Sequence, residues 1–168
     1  AVSTLAMTDI IEYDSDNLYI TLGAGISLHE LQEILEANNQ WLPLRPPFFG
    51  SKASMGSLVA MGTSGPERMF YGAPRDFLLG LQYIDSQGRI ISTGGKVVKN
   101  VAGYDMTRLM TGSNGSLGII TEATWRLLTR PELCKALSMT GNLDDCFGAV
   151  LELMNANLFP AFVTAVPE

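Results

Sequence analysis

The sequence predicts an α+β fold, a mainly antiparallel sheet flanked by helices. Three observations carry this reading. Five stretches, residues 9–13, 18–22, 77–84, 89–93 and 118–129, alternate apolar and polar side chains with period two, the pattern of half-buried strands. Two pairs of neighbouring runs are joined by short turn clusters, Asp14-Ser15-Asp16-Asn17 and Ser86-Gln87-Gly88, which suit hairpins rather than helical crossovers. Stretches with helical spacing and capping residues lie between the strands.

In chain order, residues 9–13 and 18–22 make the first hairpin, and Gly23-Ala24-Gly25 ends it. Ser27-Leu28-His29-Glu30 is a capping box, so a helix starts there. Its apolar stripe is Leu28, Leu31, Ile34 and Leu35, and Asn38-Asn39 ends it. Residues 41–49 are extended, because Pro43, Pro46 and Pro47 forbid regular helix. Residues 50–65 are rich in small and hydroxyl side chains, with Lys52 the only charge. Two readings of that stretch stay open. It suits a backbone wrapped around a flat or phosphorylated ligand, with a short helix from Ser54 aiming free N–H groups at a pyrophosphate. It equally suits a small-residue helix packed close to a sheet.

Residues 72–76 read as a loop and lead into the second hairpin, 77–84 with 89–93. Asp105 is placed to cap a short helix through Met110. Gly112, Gly115 and Gly118 follow at intervals of three. Such a loop has few Cβ atoms in the way of a ligand, but a tight turn with positive φ at one or two positions would need the same glycines. In the strand after it, Ile119, Thr121, Ala123, Trp125 and Leu127 fall on one face, with Glu122, Thr124 and Arg126 on the other. Beyond Arg130-Pro131 the pattern changes to a strand at 133–140, a helix at 143–154 and a strand at 159–166, the start of a β-α-β unit.

Composition narrows the function. The 168 residues suffice for one domain plus a fragment of another. A net charge of −6 argues against nucleic-acid binding, which needs clustered Lys and Arg. No apolar run approaches membrane-spanning length. Cys134 and Cys146 read as small buried hydrophobes of a reducing compartment. The single histidine, His29, sits on the capped helix as a surface residue, and no nucleophilic triad or metal-ligand cluster is present. The glycine-rich loop is neither a Rossmann fingerprint, since it leads into a strand, nor a P-loop, since Gly-Lys-Ser/Thr is absent.

Two blocks resemble a known family: Tyr-Gly-Ala-Pro-Arg-Asp-Phe-Leu-Leu-Gly at 71–80, and the stretch 94–122 containing Lys96, Asp105, Arg108 and the three glycines. Over residues 8–130 the chain resembles the FAD-binding domain of the vanillyl-alcohol-oxidase/PCMH flavoproteins, and within them the FAD-binding subunits of bacterial glycolate oxidases. The resemblance implies FAD as cofactor. It places Ser51, Ala53, Ser54, Met55, Gly56 and Ser57 along the FAD, with Met61, Gly62, Thr63, Ser64 and Gly65 beside them. Gly115, Leu117, Gly118, Ile119 and Ile120 complete the set. Family members commonly carry Gly-Gly where this chain has Gly56-Ser57, so Ser57 must hold a negative φ. Arg75 and Asp76 either steer the flavin or pair with each other. Lys96 and Lys99 either reach the flavin edge or a substrate carboxylate, or belong to a solvated loop.

By the same resemblance, residues 1–131 are the second subdomain of a PCMH-type FAD-binding domain, the first subdomain lying outside the sequence. Residues 132–168 are a truncated start of a ferredoxin-like cap. The implied activity is FAD-dependent oxidation of a 2-hydroxy acid, glycolate to glyoxylate, with electrons passing to a membrane acceptor. No catalytic base is assigned, and the active-site residues are implied to lie on the cap or on sister subunits. The alternative is a non-catalytic scaffold subunit with structural or absent FAD. Implied partners are sister subunits of a glycolate oxidase complex and the hydroxy acid, without nucleic acid or direct membrane insertion. A homo-oligomer through surface exposed by truncation, and a cytoplasmic place peripheral to the inner membrane, complete the expectations.

Overall fold

A computed structural model describes residues 2–47, 53–95 and 104–164. Its centre is a five-stranded sheet of β1 (Ile10–Asp14), β2 (Tyr19–Gly23), β4 (Leu78–Ile84), β5 (Ile90–Gly94) and β6 (Ile119–Arg126). The order is β1-β2-β6-β4-β5, and every neighbouring pair is antiparallel. The turn clusters close the two outer hairpins. β6, last in sequence, inserts between them, so the strand after the glycine-rich loop locks the halves together. A two-stranded ribbon, β3 (Gln40–Trp41) with β7 (Leu128–Thr129), continues one end.

One face of the sheet is covered by α1 (Leu28–Glu36) and α2 (Met55–Met61). The capping box of α1 forms as read: Ser27 Oγ accepts from Glu30 N at 3.1 Å, and Ser27 N donates to Glu30 Oε2 at 2.9 Å. Leu28, Leu31 and Leu35 then meet Ile20, Leu22, Leu81, Tyr83, Ala123 and Trp125 in a single apolar cluster. Burial on this scale dominates the favourable terms of folding. α4 (Met106–Met110) is capped by Asp105, whose carboxylate accepts from Arg108 N at 3.0 Å.

The structure corrects the reading of β6 at one point. Period two holds from Ala123 to Trp125, but the β4–β6 register shifts between Gln82 and Tyr83. Tyr83 therefore faces Ile120, which is buried, while Ile119 is exposed. Thr121 is the extra residue of this bulge. Its hydroxyl donates to Gln82 O at 3.1 Å and its carbonyl accepts from Ala24 N at 2.8 Å. Bulges re-aim side chains in this way, and a one-residue offset moves a set of side chains to the other face.

Residues 72–76 are not wholly loop: a 3-10 turn, Pro66–Met69, precedes the one-turn α3 (Pro74–Phe77), whose proline occupies the first turn where its missing N–H is harmless. Past residue 131 the expected helix forms as α5 (Leu143–Asn155), capped by Asn142. The expected strands do not. Residues 133–140 and 159–164 pair with nothing among the described residues, and a strand exists only through its ladder. Residues 165–166 of the second strand lie outside the described set. No residue of α5 is buried. The cysteines follow suit: Cys134 is exposed and Cys146 half-buried, both free, because this segment has no core to enter.

Candidate functional site

The site expected from sequence has two segments, and the structure joins them at one end of α2. At its other end, near Ser54, the helix is sealed against the sheet. Met55 N donates to Ile26 O and Gly56 N to Ala24 O, both at 2.8 Å. Ser57 N reaches Ser54 Oγ at 3.3 Å, and Leu58 N reaches Ser54 O at 3.0 Å. The expectation that this helix start aims free N–H groups at a pyrophosphate does not hold, because the chain itself takes the N–H groups of Met55, Gly56 and Ser57, and that of Leu58 makes the first ordinary bond of the helix. Gly56 is glycine for a packing reason: a β-carbon there would stand 2.7 Å from that of Ala24. Ser57 is helical with negative φ, as required, and its hydroxyl donates back to Ser54 O at 2.7 Å. Ala53, Ser54, Met55 and Gly56 are all buried. Ser51 lies outside the described residues, as do Lys96 and Lys99.

At the far end, Gly62 terminates α2 in the left-handed region, φ 62°, the usual helix stop. The glycine-rich loop docks there. Gly112 N donates to Val59 O at 2.9 Å and Asn114 N to Ala60 O at 2.8 Å, so the loop caps carbonyls that the helix end leaves open. Gly112, Asn114 and Gly115 all have positive φ, at 83°, 52° and 75°. Met61, Leu117 and Ile119 stand exposed around the junction, and Thr63, Ser64 and Gly65 run away from it. Gly118 is different: a β-carbon there would lie 2.7 Å from Ile84 O, so that position is fixed by the strand beside it. Ile120 faces the core with its side chain.

Two hydroxyls distinguish this junction. Ser64 Oγ and Ser113 Oγ are buried and have no hydrogen-bond partner among the described residues. Unmet buried hydroxyls are rare and call for a reason. Ser113 sits on the docked loop and Ser64 two residues past Gly62, so each glycine-rich segment carries one unmet polar group. Ser113 was not among the residues expected from sequence, since nothing local marks a serine as unpartnered.

A charged and aromatic cluster adjoins Ser64. Glu67 is 3% exposed, and its Oε1 lies 3.1 Å from Nε of Arg45. The approach is close without hydrogen-bond alignment, and neither carboxylate oxygen accepts a well-aligned bond. Gly65 runs against the carbonyl of Arg45, leaving no room for a side chain. Tyr71 packs edge-on to Trp41 and to Phe70, with ring centroids at 5.3 and 4.9 Å. Burial pushes the Tyr71 phenol above its ordinary pKa, and Cys134 and Glu67 add to the rise. Arg75 and Asp76 approach only to 3.9 Å; Asp76 instead accepts from Ala73 N at 2.8 Å. His29 is on the surface, 3.6 Å from Glu33. Two open grooves, of ≈ 550 and ≈ 360 Å³, lie elsewhere, one lined by Thr8, Glu30 and Ile34 and the other by Met7, Gln82 and Glu122.

This architecture recurs in solved structures. Alkyldihydroxyacetonephosphate synthase shares the fold at a TM-score of 0.73 over 93% of this chain and 28% of that one, with 21% identity. The family model described as FAD binding domain matches residues 1–94, more than half of the chain. The chain belongs to that family of FAD-binding domains, and FAD is its cofactor. It is 41% identical over 143 residues to glycolate oxidase subunit GlcE of Escherichia coli (strain K12). It is 35% identical over 156 residues to glycolate oxidase subunit GlcD of Bacillus subtilis (strain 168). To a D-lactate dehydrogenase of Archaeoglobus fulgidus it is 33% identical over 153 residues. The matches cover 85%, 92% and 90% of this chain but only 41%, 33% and 34% of those proteins.

Proposed function

We propose that this chain is one wall of the FAD site of an oxidoreductase acting on a 2-hydroxy acid, with glycolate as substrate and glyoxylate as product. The observation that carries the reading is the junction of Gly62 with the 112–118 loop, roofed by few β-carbons, with the unpartnered hydroxyl of Ser113 on the loop and that of Ser64 two residues past Gly62. The similarity to glycolate oxidase subunits and D-lactate dehydrogenases supports the substrate class. When bound, FAD supplies the hydride acceptor. The residues of this chain orient it: Ser64 and Ser113 offer donors, exposed Met61 and Leu117 offer apolar contact, and the docked loop holds the two segments at fixed spacing. The core behind them, from Trp125 to Met55, makes the wall stiff.

On this reading residues 1–131 are the second subdomain of a PCMH-type domain, and residues 132–168 begin a cap domain. α5 supports the division, since Leu143, Phe147, Leu151 and Met154 form an uncovered apolar stripe. The rest of a cap, a sister subunit or a second copy of the chain would cover it. No helix among the described residues is long and apolar enough to cross a membrane, which fits a cytoplasmic protein reaching the inner membrane through partners. A second reading, a scaffold subunit without catalysis, draws support from the first turn of α2, whose N–H groups are already spent.

The visible spectrum of the full-length protein with its partner subunits separates the two. Flavin absorption that bleaches with glycolate is expected. Flavin that stays oxidised with glycolate and bleaches with D-lactate would move the substrate, and a protein purified without flavin would leave the scaffold.

A further inference from the structure

Arg45 is held as a fork with its tines unused. Its guanidinium meets the buried carboxylate of Glu67 through Nε, at 3.1 Å, while the Arg45 side chain remains 57% exposed. The Phe162 ring lies across one face, 5.8 Å from Cζ. The two terminal nitrogens have no acceptor among the described residues. Its own backbone carbonyl abuts Gly65, so the Arg45 segment runs against the backbone next to Ser64. A buried carboxylate with a single partner is costly to keep unless that partner is itself useful. Here that partner stands at an exposed edge, and planar arginine forks recognise carboxylates and phosphates bidentately. In a chain of net charge −6 an anion needs such a local cation.

We propose that Arg45, ion-paired to Glu67, is an anion-binding residue that grips an oxyanion beside the flavin wall. The anion is the carboxylate of the hydroxy-acid substrate or the pyrophosphate of FAD, and the assignment of either source rests on the flavin reading above. Three variants of the full-length protein test it: Arg45→Met, Arg45→Lys and the double variant Arg45→Met/Glu67→Gln, which removes both charges and so leaves no buried carboxylate unpaired. Each is titrated with oxalate, a non-oxidisable carboxylate, by calorimetry, and its flavin per chain is measured by absorbance.

Loss of the fork should weaken oxalate by at least about tenfold, the size of one charge-assisted hydrogen bond, with flavin retained, if the carboxylate is the ligand. Loss of flavin in variants with an unchanged circular-dichroism spectrum assigns the pyrophosphate instead. Arg45→Lys should recover only part of either effect, because it keeps the charge without the fork. Wild-type oxalate affinity and flavin content in both the single and the double Met variants overturn the proposal. A wild-type protein without flavin would sink the flavin reading alone, since the oxalate titration still decides whether Arg45 binds an anion.

Discussion

The Cα of Gly112 lies 3.3 Å from the place a β-carbon on Gly62 would occupy. Gly62 is also left-handed, so Gly62→Ala meets two penalties at once. The conformation alone costs about 1–2 kcal/mol, and the docked loop must shift as well. Gly115→Ala, with φ 75° and open space around it, meets only the first. Urea unfolding should therefore find Gly62→Ala the more destabilised of the two, with flavin content falling only there. Equal losses would mean the loop does not depend on this contact.

Gly118 invites use as a probe of the flavin wall, but its neighbours argue otherwise. A β-carbon would stand 2.7 Å from Ile84 O and 2.8 Å from Tyr83 Cδ2. Gly118→Val should cost about 1–3 kcal/mol through overpacking at the β4–β6 junction. The expected result is a lower Tm accompanying any loss of flavin. A variant that loses flavin at unchanged Tm would place the ligand, not the strand, against Gly118.

Ser27→Ala removes the cap of α1 and should lower stability by about 1 kcal/mol. The pH dependence carries a sign. Hydrogen bonds from the Ser27 side chain, and then its backbone N–H, hold the Glu30 carboxyl below its ordinary value. A depressed carboxyl binds its proton less tightly when folded, so its contribution is present above the ordinary carboxylate range and lost as pH falls through the depressed value. Tm measured from pH 7 down to about pH 3 should fall less steeply for Ser27→Ala than for wild type. Parallel curves would show the pairing to be electrostatically neutral.

The 168-residue chain, purified alone, should bind no stoichiometric FAD. The N–H groups of Met55, Gly56 and Ser57 at the start of α2 are taken internally, which leaves the Gly62–Gly112 junction to supply the contacts. Each missing charge-assisted bond forgoes about 1.5–3 kcal/mol, and about 1.4 kcal/mol is tenfold in affinity. Saturable submicromolar binding at one site per chain, by flavin fluorescence, would show that this wall holds the cofactor unaided.

The glycines mark the boundary of what could be read in advance. Gly88 and Gly112 are legible as turn residues because positive φ is a local demand. Gly23, Gly56 and Gly65 have ordinary φ. They are glycine because the backbone of Met7, the β-carbon of Ala24 and the carbonyl of Arg45 pass within contact, approaches made by residues 16 to 32 positions away. The small-residue stretch 50–65 left two readings open, and at Gly56 the fold shows close packing against Ala24.

The two hairpins, the capped helices and the family were legible in the residues, because each rests on spacing within a few positions or on a contiguous motif. The tertiary structure alone decided that β6 enters between the hairpins, that Thr121 bulges and so buries Ile120 in place of Ile119, and that Glu67 is buried against Arg45. It also decided that residues 133–140 and 159–164 form no ladder among the described residues. These depend on which distant backbone or charge arrives alongside. That is set by the packing of the whole sheet, in which local propensity is one small term among many.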